Sequence, residues 1–182
     1  MIWVKVVWAV TGYPTWMGGD IQTDQKFIVG PLTQAQIRAV YPLVRHAGAG
    51  IDLKTWLRYA RPLVGAGPGA RRGAITVRRV ASKHPCGLFC YARESDLVHG
   101  DVLRAEHFVA LDIVNPAEAM AALLGGLDYL STQLGIRTVR AVVGPGEEGV
   151  STVMRQAGLS TDATIFTKIV FSPAVDEAGS DR

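Results

Sequence analysis

The sequence predicts an α/β (α+β) fold: a mixed, mostly antiparallel twisted sheet flanked by about four helices. Three observations predict it. Residues 74–114 hold three successive strand-like runs separated only by short turns, which implies an antiparallel meander. The stretches 33–64 and 115–135 instead carry apolar residues at helical spacing. The chain has 182 residues, so one domain is the default.

The first element is a strand at 26–30 (KFIVG). Thr33 then offers an N-cap and Gln36 completes a capping-box pattern. Ile37, Val40, Tyr41 and Val44 recur at helical spacing, which predicts a helix over 33–46 that Pro42 kinks or ends. Asp52 caps a second helix, whose stripe is Leu53, Trp56, Leu57, Ala60 and Leu63, disturbed near Pro62. The loop from Gly65 to Gly73 contains Arg71 and Arg72. It follows a helix and leads into a strand, the reverse of a dinucleotide fingerprint, so it reads as a flexible connection.

The meander strands are 74–81, 86–94 and 102–114. Asn115 then caps the longest helix, with Pro116 at its first position and Glu118 at its third. Met120, Leu123, Leu124, Leu127, Leu130 and Leu134 form its buried stripe, and Gly135 closes it. A strand over 138–143, a short helix from Val150 to a Gly158 cap, and a final strand over 164–171 complete the order. No repeat or linker interrupts it. The expected organisation is an N-terminal extension over 1–25, one domain over 26–172 and a disordered tail over 173–182.

Composition excludes several classes. With 48% hydrophobic and 19% charged residues the chain is not of the disordered type. A net charge of +3, with only Arg71-Arg72 and Arg78-Arg79 clustered, predicts no nucleic-acid partner. No stretch approaches the ~18 apolar residues of a membrane span, so no membrane partner is expected. The start, MIWVKVVWAV, has its charge inside the apolar run and fits a signal peptide poorly. Three readings of it stay open: an edge strand, an interface arm carrying Trp3, Trp8 and Trp16 that would make a homodimer, or an upstream extension with Met17 as the natural start. Cys86 and Cys90 lie four apart on one strand, ~13 Å from each other and beyond disulfide reach. With His84 they make no four-ligand zinc set, so no metal is expected. They read as small residues of a reducing, cytoplasmic compartment.

The order of elements over 26–171 resembles that of the GCN5-related N-acetyltransferase (GNAT) superfamily. Local features agree with the resemblance: Leu111-Asp-Ile-Val114 before Asn115-Pro116, the strand after Gly135, and Ala157-Gly158-Leu159 where the family usually carries Gly-Phe. The resemblance implies a GNAT-like fold and an N-acyltransferase: acetyl-CoA or another acyl-CoA would donate to a small-molecule or peptide amine. It also implies that the backbone near Leu111, Ile113 and Val114 would hold the pantetheine arm.

The departures bear on function. The family's glycine-rich loop, whose N–H groups bind the coenzyme diphosphate at a helix start, is replaced by a segment from Asn115 to Leu124. That segment has no glycine and no basic residue, and is shorter by about four residues, roughly one helical turn. Glu118 in its first turn would repel a diphosphate. Met154 stands where the family often has a tyrosine acid, and Gly144-Pro-Gly146 where it has an asparagine.

One chemical position agrees. Ala105-Glu106 falls where some members carry a general-base glutamate. Strand alternation puts Glu106 on one face with Arg104, Phe108 and Asp112, and His107 on the other with Val109. Glu106 beside Phe108 could accept a proton from an amine; pairing with Arg104 or Arg78 is the more ordinary alternative. His107 reads as a core histidine, and His99 as a solvent-facing turn residue. The functional expectation is acyl transfer with Glu106 as base. Its alternative is a non-catalytic GNAT-like domain that binds a ligand, regulates or engages a protein.

Overall fold

The computed structural model describes residues 21–24, 26–48, 50–65, 69–144 and 147–162. Among these, six strands form one sheet in sequence order. Strands β1 (Ile21–Asp24), β2 (Phe27–Pro31), β3 (Arg72–Arg79), β4 (Pro85–Asp96) and β5 (Gly100–Ala110) pair antiparallel in succession, up to β5. The last, β6 (Thr138–Ala141), runs parallel to β5. The parallel step requires a crossover, and α3 (Pro116–Gln133) supplies it. Strand β1 was not foreseen, and it brings the sheet's start to Ile21. The predicted strand over 164–171, the tail and the tryptophan-rich start lie outside the described residues.

Each face of the sheet has its own core. On one face Phe27, Val29, Phe89, Leu103 and Phe108 pack against Leu123, Leu127 and Leu130 of α3, with Met154 of α4 (Glu148–Gln156) joining them. Each of these large side chains stabilises the fold by roughly 2 kcal/mol on burial. Helix α3 lies close to β2 because Gly126 carries no Cβ, which would sit 2.6 Å from Val29 Cγ1. On the other face Leu88, Cys90 and Val109 pack under Leu43 of α1 (Tyr41–Ala47) and Trp56 and Ala60 of α2 (Leu53–Ala60).

Local signals explain most boundaries. Asp52 caps α2 by accepting from Thr55 N–H at 2.6 Å, and the helix tightens into a 3₁₀ turn (Arg61–Leu63) at Pro62. Asn115 Oδ1 accepts from Glu118 N–H at 3.2 Å, and Gly135 leaves α3 with φ +64°.

The expected helix over 33–46 is corrected. Thr33 and Gln36 do form the capping contact, Gln36 Oε1 accepting from Thr33 N–H at 3.0 Å, but residues 34–40 are successive turns. The α-helix begins only at Tyr41. Pro42 sits in its first turn, where a missing N–H costs nothing, so it starts this helix and does not end one. The third meander strand also stops short, at Ala110 and not at 114.

Candidate active site

The strand β5 sets the site. Cys90 of β4 faces Glu106 and Leu88 faces Val109, so two steps on β4 oppose three on β5. The extra residue is His107, held at φ +58°, which makes a β-bulge. The bulge reverses the alternation. Before it, Leu103 and Ala105 face α3; after it, Phe108 does, stacked on Phe89 with centroids 5.2 Å apart. Glu106 and Phe108 therefore lie on opposite faces, which corrects the expectation that they share one. His107 is corrected too. Its side chain is 62% exposed and edge-on to the Tyr59 ring at 5.9 Å, so it is no core histidine.

A cavity of about 430 Å³ opens between α1, α2 and this bulge, lined by Trp56, Tyr59, Cys90, Glu106, His107 and Val142, among others. Trp56 fixes its wall, donating its indole N–H to Ile37 O at 2.7 Å. Glu106 is partly buried in it. Its Oε2 lies 3.0 Å from Arg104 Nη2 and its Oε1 3.7 Å from His107 Nε2. Arg104 reaches on to Glu94 at 3.3 Å. Of the two arginines weighed for Glu106, Arg104 is the partner.

Tyr59 was not singled out from sequence, although it lies on the same helix face as Trp56, three positions on. Burial, then the neighbouring Cys90 and Glu106, hold its hydroxyl above the ordinary phenol range. Burial likewise pushes the Cys90 thiol up to about 12, so it offers no thiolate near neutral pH.

The sheet parts at the cavity. The last contact between β5 and the chain after β6 is Val142 N–H donating to Ala105 O at 2.8 Å. Beyond it, among the described residues, nothing pairs with β5 on that side. Leu111 N–H donates to Cys86 O at 2.7 Å, so ladder alternation turns the backbone groups of Phe108 and Ala110 away from β4 and into the gap.

The turn after β5 is the opposite case. Asp112 is buried, and Arg79 donates to both of its oxygens at 2.6 Å. Its Oδ1 also accepts from Val114 N–H at 2.9 Å and Asn115 N–H at 2.8 Å. The Arg79 guanidinium, ahead of the two backbone bonds and against burial, holds this carboxyl well below the usual range. Leu111, Ile113 and Val114 present exposed side chains here, with Ile113 wholly in solvent. The sequence expected their backbone to be available, but the N–H groups of Leu111 and Val114 are already engaged. Met154 is buried in the α3-side core, away from the cavity lining.

No family model matches the chain, nor does any curated protein sequence. Solved structures do. An aminoglycoside N-acetyltransferase in complex with CoA matches at 15% identity and TM-score 0.64, covering 82% of this chain and 99% of that one. Glucosamine-6-phosphate N-acetyltransferase from Arabidopsis thaliana matches at 11% and 0.62, covering 79% and 97%. A transcriptional regulator from Bacillus halodurans C-125 matches at 7% and 0.65, covering 79% and 99%. No helix among the described residues is long and apolar enough to cross a membrane. The six-stranded sheet, its bulge and its parting strands, together with these likenesses, give the chain the fold of the GCN5-related N-acetyltransferase superfamily.

Proposed function

We propose that this protein transfers an acyl group from an acyl thioester, acyl-CoA in the first instance, to the amine of a small molecule or peptide. The observation that carries the reading is the parting of β5 from β6 beside Glu106. A thioester arm laid in the gap would meet the free backbone groups of Phe108 and Ala110, with the exposed side chains of Leu111, Ile113 and Val114 beyond them. Its carbonyl would then stand at the bulge, within reach of an amine in the cavity.

The chain's own groups supply binding, orientation and one proton acceptor. Glu106 attracts the ammonium form of the acceptor and takes its proton. The neutral amine attacks the thioester carbonyl, a C–N bond forms, and the C–S bond breaks with its electron pair leaving on sulfur; the thiolate then takes the proton that the new amide nitrogen sheds. No acid is required at the leaving group, because a thiol of pKa about 8.5 departs readily as thiolate. Direct attack depends mainly on positioning, which a preformed cavity provides.

A second reading has its own observation. Arg104 lies 3.0 Å from Glu106 and would hold it as a structural ion pair, leaving a cleft that binds a ligand without catalysis. Thermal unfolding against acetyl-CoA and longer acyl-CoAs, followed by an amine-acceptor assay, separates the two. Acyl-dependent stabilisation with amide formation supports the transferase. Stabilisation without turnover of any amine favours the binding module, and no stabilisation removes the transferase reading. At 100 times its dissociation constant a ligand should add about 2.7 kcal/mol, well within detection.

A further inference from the structure

We propose that the donor is recognised through its pantetheine thioester arm alone, so that acyl-pantetheine serves as well as acyl-CoA; this rests on the acyl-transfer reading above. The inference comes from what stands where the open edge of β5 ends. An arm following that edge past Ala110 runs toward the start of α3, the place in such a fold where free N–H groups would receive a diphosphate. Here several of those groups are already taken. Val114 and Asn115 N–H donate to Asp112 Oδ1, Glu118 N–H donates to Asn115 Oδ1, and Pro116 has none. Asp112 is a buried carboxylate in the anion position, supplied by the chain itself.

Two cations beside the turn are committed as well. Arg79 is bound at both ends of its fork by Asp112 and lies over the Phe27 ring at 5.0 Å. Lys26 is paired with Glu118 at 3.3 Å. A diphosphate brought to this turn would meet the carboxylates of Asp112 and Glu118, two cations already paired with them, and an apolar surface formed by Ile113 and Val114. Arg79 and Lys26 are therefore not free to hold a nucleotide's phosphates.

The test compares acetyl-CoA with S-acetyl-pantetheine on the full chain, using one amine acceptor and, in parallel, thermal unfolding. The expected result is kcat/KM values within about threefold of each other and equal shifts in midpoint, with adenosine 3′,5′-bisphosphate neither shifting the midpoint nor inhibiting. A preference for acetyl-CoA of 100-fold or more, or inhibition by the bisphosphate, overturns the inference while leaving acyl transfer standing. Turnover of neither donor, with any amine, overturns acyl transfer itself. In that case a shift with acetyl-CoA alone would count against arm-only recognition, and equal shifts would preserve it for a binding module.

Discussion

Residues 106–110 and 111–118 are neighbours on one chain, yet they treat their polar groups in opposite ways. Along β5 beyond the bulge, the backbone groups of Phe108 and Ala110 face a gap, and Glu106 faces a cavity with only side-chain partners. In the turn that follows, Asp112 and Asn115 absorb the N–H groups of three residues, and Arg79 completes the set. A buried polar group costs free energy unless it is bonded, so the closed turn is stable without a ligand. The strand edge beyond Ala105 has no pairing partner among the described residues. On the proposed function, the chemistry lies before Ala110 and the rigidity after it.

The largest expected effect tests the open region. Replacing Glu106 by Gln keeps its volume and removes the proposed proton acceptor, so kcat/KM for amine acylation should fall by about 10³-fold. The unfolding midpoint should stay near that of the parent, because the residue is partly exposed and its ion pair with Arg104 contributes little. Full activity in the Glu106→Gln protein would show that the open region works by positioning alone.

The next effect tests the closed region. In Asp112→Asn the amide cannot hold Arg79 through two charged bonds, and stability should drop by about 2–3 kcal/mol. The pH dependence carries the sign. Asp112 has its folded-state pKa below the unfolded value, so at acid pH the unfolded chain binds more protons. Its contribution is complete above the ordinary carboxylate range, about pH 4, and is lost as pH falls below it. Asp96 has the same sign, its carboxyl lowered chiefly by the His99 and Val98 N–H groups. The parent should therefore lose stability on acidification more steeply than Asp112→Asn, and identical slopes in urea titrations from pH 7 to pH 3 would dissociate the turn's rigidity from this carboxylate.

The same contrast decides what sequence could reveal. The closed turn was largely legible. Asn115, Pro116 and Glu118 carry the capping chemistry in adjacent letters, and the helix starts where they say. What could not be read was the partner of Asp112, because Arg79 comes from another strand and only register brings them together. In the open region the sequence misplaces the geometry: alternation with period two sets Glu106 beside Phe108 only on an unbroken ladder, and the bulge at His107 breaks it. A histidine between Glu106 and Phe108 in a strand-like run carries only a faint signal for a positive φ. Pro42 was misjudged for a related reason, since the same ring that ends a helix also begins one, and only the turns over 34–40 decide which. Tyr59 needed nothing but helical spacing from Trp56 and could have been found.

A smaller effect tests the wall between cavity and core. Trp56→Phe retains most of the apolar packing but leaves Ile37 O without the indole donor, at a cost of about 1 kcal/mol. If the turns over 34–40 are held by that bond, hydrogen exchange of the Val40 and Leu43 amides should quicken in the variant, and KM for the amine should rise while kcat stays within a few-fold. Unchanged exchange would mean that Leu32, Ile37 and Val40 hold the wall by burial alone.

The smallest effect is the most discriminating. Glu118 lies at the start of α3, its side chain 42% exposed and paired with Lys26 across 3.3 Å. Exposed pairs of this kind contribute within about 0.5 kcal/mol, so Glu118→Gln should unfold almost where the parent does. If the charge of Glu118 were what excludes a diphosphate, its removal, which also frees Lys26, would raise acetyl-CoA affinity tenfold or more. With Asp112 already bonded to the N–H groups of Val114 and Asn115, the gain should be no more than about twofold, as expected of one screened surface charge. The affinity for S-acetyl-pantetheine should not change. A tenfold gain confined to acetyl-CoA would transfer the exclusion from the buried carboxylate to the exposed one, and would make the closed turn a diphosphate site blocked by a single surface charge.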